Sequence, residues 1–113
     1  MSKAAEKWAA AAHNVLIKAV DELAGINSLP KPERPAAIRT AIYAFTDWPG
    51  EAPPMGKPGI IEAVKLVETA NFLLMQTVIN PKYRGRHKWD TVTAAAAILA
   101  DAMELIETFT RPQ

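Results

Sequence analysis

Apolar residues in this chain recur at intervals of three and four almost from end to end, and the strict alternation of a half-buried strand is nearly absent. In the first stretch, Trp8, Ala12, Val15, Ala19 and Leu23 make one stripe, which Leu16 and Val20 widen. Ser2 suits an N-cap and Gly25 a C′ position, so the pattern predicts a helix over Ser2 to Ala24. A second, short helix is predicted from Pro35 to Thr46, with Ile38, Ile42 and Phe45 on its apolar face. Trp48-Pro49 stops it, because the residue before a proline avoids the helical region.

The third stretch, Pro58 to Asn80, differs in kind. Ile60, Ile61, Val64, Val67, Phe72, Leu74, Met75 and Val78 spread over most of the helix circumference. A helix that apolar is expected to be central in the fold or to face a second subunit. A fourth helix is predicted from Lys88 or Asp90 to Thr110, with Val92, Ala95, Leu99, Ala102, Ile106 and Phe109 inward. Alanine runs at 9–12 and 94–97 combine high helix propensity with little bulk. If those two faces meet, the first and fourth helices are close neighbours.

Prolines punctuate these segments at 30, 32 and 35, at 49, 53, 54 and 58, and at 81 and 112. The expected fold is therefore all-α: a small bundle of three long helices and one short one, with Pro-rich connections, forming a single domain over 1–113. Its wide apolar third helix predicts a homo-oligomer that associates by helix packing.

Composition narrows the chemistry. The chain has 113 residues and no cysteine, which excludes disulfides, thiolate metal sites and cysteine nucleophiles. The N-terminus, MSKAAEKWAAAAH, lacks the apolar region of a secretory signal. Glu62, Lys65, Glu68, Asn71 and Gln76 interrupt the longest apolar stretch, which argues against a membrane span. The expectation is a cytoplasmic protein without a membrane partner.

Net charge is +1, but the charge is uneven. In NPKYRGRHKWD, residues 80–90, Lys82, Arg84, Arg86 and Lys88 alternate with Tyr83, Gly85 and His87. Removing those four basic residues leaves nine basic against twelve acidic side chains, so any attraction for anions is local. Pro81 ends one helix, Gly85 permits a turn, and the next helix opens with free N–H groups. Guanidinium groups beside a helix N-terminus can hold a phosphate. Lys82, Tyr83, Arg84, Arg86, Lys88 and Trp89 are accordingly a candidate anion site, with Tyr83 and Trp89 available to stack on a base. The alternative is a solvated turn whose charges meet acids on neighbouring helices. The lack of a periodic basic array elsewhere argues against extended duplex nucleic acid.

A second candidate is the stiff loop DWPGEAPPMGKPG, residues 47–59. Trp48, Pro49, Pro53, Pro54 and Met55 would form an apolar docking surface that loses little entropy on binding. The alternative is that Trp8, Trp48 and Trp89 staple helix ends to the core.

Asp101-x-x-Glu104 resembles half of the paired acid motif by which MazG-type pyrophosphohydrolases hold Mg²⁺. The other half is missing, since Lys65 stands three residues after Glu62 and Glu68 follows alone. The bland reading is a polar outer face on which Glu107 pairs with Arg111. His13 and His87 are isolated, and no P-loop, nucleophile elbow or dinucleotide fingerprint occurs. Trp89, Met103-x-Leu105 and Arg111-Pro112 resemble the last helix of small phage proteins that sequester cyclic-nucleotide signals. That resemblance implies an oligomeric, non-enzymatic sponge and carries over no binding residue.

The sequence therefore points to a non-catalytic helical protein, without catalytic residue, metal or cofactor. It would dock a protein partner or sequester a nucleotide-like anion, in the manner of a phage or mobile-element accessory protein. A Mg²⁺-dependent nucleotide pyrophosphohydrolase and a structural assembly component are the alternatives.

Overall fold

The computed structural model describes residues 3–53 and 58–110, without the side chains of Pro58 and Thr110. All regular structure among them is helical: α1 Lys3–Ala24, α2 Arg34–Ala44, α3 Pro58–Ile79 and α4 Gly85–Thr110. Short 3₁₀ turns occupy Ile26–Ser28, Lys31–Glu33 and Phe45–Asp47. The last of these takes over where the sequence pattern continues the second helix to Thr46. The helical hydrogen bonding tightens there, ahead of the Trp48-Pro49 stop.

Helix α4 packs between α1 and α3, and α2 bridges α1 and α3. The two alanine runs do not meet: His13 lies against Glu107 and Trp89 beyond the far end of α1, so α1 and α4 run antiparallel and the runs 9–12 and 94–97 lie at opposite ends of their contact. Ala9, Ala12 and Ala19 of α1 and Ala95 and Ala102 of α4 are fully buried. Between them Leu16, Leu99 and Ile106 fill the centre with no exposed surface. Small residues let the backbones approach, and a few branched side chains then occupy the remaining volume.

Three polar or aromatic contacts fix the ends. Trp8, almost buried, donates from Nε1 to the carbonyl of Gly50 at 3.0 Å. Gly50 lies at φ +82°, a conformation that glycine adopts without the Cβ clash. His13, midway along α1, lies 2.9 Å from a carboxylate oxygen of Glu107 on α4. Asn80 builds the α3–α4 turn: its side-chain oxygen accepts from the amide of Lys82 at 3.0 Å.

Helix α3 departs from the expectation of a central helix. Ile60, Ala63, Val67, Ala70, Leu74 and Thr77 face inward and are buried. Ile61, Phe72, Met75, Val78 and Ile79 are exposed, Ile61, Phe72 and Ile79 by about three-fifths of their surface. The breadth of its apolar surface is thus not accounted for by the core.

Candidate functional site

The two sequence candidates lie at opposite ends of the bundle. The Trp48 loop sits beside Trp8, near the start of α1. The basic turn sits at the start of α4, where Trp89 meets Arg34 beyond the far end of α1. From Trp8 to Ala24 the helix rises roughly 24 Å at 1.5 Å per residue, so the regions are separate surfaces.

Trp48 is turned inward. Its ring meets Trp8 edge to face at 5.6 Å between centroids and Phe45 at 6.2 Å. Trp48, Pro49 and Pro53 are half-buried. Pro54 and Met55, the other members of the candidate docking loop, lie outside the described residues. The aromatic group therefore contributes to closing the end of α1, through an edge-to-face geometry that favours aromatic pairs.

The basic turn is built differently from its sequence reading. Helix α4 begins at Gly85 instead of Lys88 or Asp90. Cations at a helix N-terminus oppose the macrodipole, which is why the charge pattern favours a later start. Gly85, at φ +59°, reverses the chain at once, and two local contacts support the early turn. Tyr83 stacks on His87 at 4.8 Å and 20° between planes. Arg86 Nε lies 3.7 Å from an oxygen of Asp90, one helical turn on. Both of these last side chains are largely exposed, so the pair adds little stability.

Trp89 is half-buried and flanked by two cations. The Arg34 guanidinium carbon lies 5.3 Å from the ring centroid and Lys88 Nζ lies 5.2 Å from it. Arg34 also donates from Nε to the carbonyl of Leu29 and from Nη2 to that of Asn27, each at 3.0 Å. One guanidinium thus closes the 25–33 connection and joins it to α4. The sequence reading passed over Arg34, because nothing local marks it: its partners are backbone carbonyls and a tryptophan 55 positions away. Lys82, Arg84, Arg86 and His87 project from the surface at this end, whereas Tyr83, Lys88 and Trp89 are half-buried.

The acids do not assemble. Asp101 and Glu104 are exposed on α4, and Glu62 and Glu68 are exposed on α3. Among the described residues no three His, Asp or Glu side chains come together as metal ligands. Glu107 meets His13 across the α1–α4 interface, and its expected partner Arg111 lies outside the described residues. Among the described residues no helix is long and apolar enough to cross a membrane.

Most of the exposed large hydrophobic residues among the described residues, Ile61, Phe72, Met75, Val78 and Ile79, lie on α3. Its exposed positions Ile61, Lys65, Glu68, Phe72, Met75 and Ile79 are spaced four, three, four, three and four residues apart. That is a seam with the mean spacing of a coiled coil, parallel to the buried seam on the opposite side. Comparison with known proteins adds no relative: no known family, curated protein or solved structure matches the chain significantly.

Proposed function

We propose that the protein is a non-catalytic helical binding protein whose docking surface is the outer seam of α3. The observation that carries this reading is the regular exposure of Ile61, Phe72, Met75 and Ile79 along one line of a helix whose other side is already packed. Surface hydrophobes scattered singly need no explanation, but several along one side of a single helix, here interrupted only by Lys65 and Glu68, mark an interaction surface. The spacing suits another helix, since knobs at alternating intervals of three and four fit the holes of a facing helix.

Photo-crosslinking in the source cells tests this reading. p-Benzoylphenylalanine in place of Phe72 is expected to give a discrete adduct whose protein components mass spectrometry identifies. The same residue in place of Ala94, exposed on α4, is expected to give none. Absence of any adduct at 72 removes the reading.

Sequestration of a nucleotide-like anion is the second reading, favoured by one observation. Arg84 stands just before α4 and Arg86 in its first turn, where the helix dipole and free N–H groups add to their charge. It would employ the end of the bundle and leave the α3 seam unexplained, so it ranks below helix docking.

A further inference from the structure

We infer that the occupant of the α3 seam is the α3 seam of a second copy of this chain, running antiparallel. The inference rests on the docking reading above and names its partner. Its basis is the order of residues along the seam: Ile61, Lys65, Glu68, Phe72, Met75, Ile79. An opposite-charge pair stands between apolar positions, and this decides both orientation and register.

In a parallel, in-register pair Lys65 would face Lys65 and Glu68 would face Glu68, which is repulsive at both layers. In an antiparallel pair with its two-fold axis between Lys65 and Glu68, Lys65 of each copy meets Glu68 of the other. Ile61 then meets Phe72 at the flanking layers, once on each side of the axis. This places both charges of the seam opposite their complements and Ile61 and Phe72 on each other, while Met75 and Ile79 extend beyond the paired segment. Sliding the copies by one heptad would set Lys65 against Met75 and Glu68 against Phe72, removing water from both charges without a partner. Sliding by two would join Phe72 to Met75 but set Glu68 against Ile79, again burying a charge without a partner. Closed two-fold association is also the commonest form of soluble oligomer, because one self-complementary patch serves both partners.

The inward seam of α3 shows the same spacing, Ile60, Ala63, Val67, Ala70, Leu74 and Thr77, and is fully used by the chain's own core. Two seams on one helix let α3 serve as the shared wall between two bundles. A single pair of helices lies at the small end of specific interfaces, so a dissociation constant in the micromolar range is expected.

Analytical ultracentrifugation of the purified chain over a concentration series tests the inference. The expected result is a reversible monomer–dimer equilibrium that reaches twice the 12.3 kDa chain mass. Lys65→Glu is expected to weaken dimerisation by about tenfold, by turning attraction into repulsion at two layers. The double variant Lys65→Glu/Glu68→Lys is expected to restore it, which a parallel or purely apolar pairing would not require. Circular dichroism of each variant checks that the helices are retained; both positions are exposed, so the fold is expected to survive. Because the chain has no cysteine, register can be read directly. A mixture of Ile61→Cys and Phe72→Cys chains is expected to form a disulfide-linked heterodimer under mild oxidation. Preferential linkage of Phe72→Cys to Met75→Cys chains instead would overturn this register. A chain that stays monomeric to ~0.5 mM, beyond any micromolar equilibrium, overturns self-pairing. If it does so while position 72 crosslinks a different protein, docking stands and the identity of the occupant is wrong. If position 72 crosslinks nothing, both fail.

Discussion

Replacing Arg34 by alanine removes three contacts at once, two hydrogen bonds to the 25–33 connection and one cation–π contact to α4. The carbonyl acceptors lie near the surface, Leu29 half-buried and Asn27 exposed, so water can replace the lost donor. Each bond is therefore worth about 1 kcal/mol, below the upper range for charged donors. The Trp89 contact adds about 0.5–1 kcal/mol. The expected loss is about 2–3 kcal/mol, read as a lower urea midpoint by far-UV circular dichroism, with a melting temperature lower by roughly 10 °C. Arg34→Lys keeps the charge, but a single ammonium cannot fork onto both carbonyls, so it is expected to recover no more than about half of the loss. A double-mutant cycle with Trp89→Leu is expected to give a coupling of about 0.5–1 kcal/mol. Arg39→Ala, at an exposed position of the same helix, serves as control and is expected within ~0.5 kcal/mol of wild type. If Arg34→Ala matches that control, or if lysine restores full stability, the role assigned to the guanidinium fork is refuted.

Leu74 and Met75 are adjacent on α3 but face opposite ways, one wholly buried and the other 39% exposed. Leu74→Ala is expected to cost about 2–5 kcal/mol of folding stability, and Met75→Ala, which lies beyond the paired segment, less than about 1 kcal/mol with little effect on dimerisation; similar unfolding midpoints for the two would show α3 to be rotated from its described orientation. For the anion reading, calorimetry with mono-, di- and cyclic nucleotides is expected to give binding that weakens with salt and with Arg84→Ala or Arg86→Ala. Failure of every nucleotide to bind below a dissociation constant of about 1 mM, barely 4 kcal/mol, removes that reading.

The elements themselves were legible because helix periodicity is local. Val92, Ala95, Leu99, Ala102 and Ile106 announce a buried stripe by spacing alone, and all are buried. The pairing of α1 with α4 was legible too, as their alanine content suggests, but they run antiparallel, so each alanine run packs elsewhere than on the other. The candidate surfaces were less so. The start of α4 was misjudged by three to five residues, because the adverse charge of Arg86 and Lys88 is offset by a glycine turn and a Tyr83–His87 stack that only coordinates display. Trp48 reads from sequence either as a docking residue or as a staple of a helix end, and its ring packs on Trp8, 40 positions away in the chain. Arg34 carried no signal at all, since a guanidinium that serves backbone carbonyls five and seven positions back and a distant tryptophan looks in sequence like any surface arginine. The excess of apolar residues on α3 was visible in the sequence as quantity. Only the tertiary structure divided it into a seam the core covers and a seam it leaves open, because burial depends on where α2 and α4 lie, and neighbours on one side cannot enclose a helix that is apolar on both.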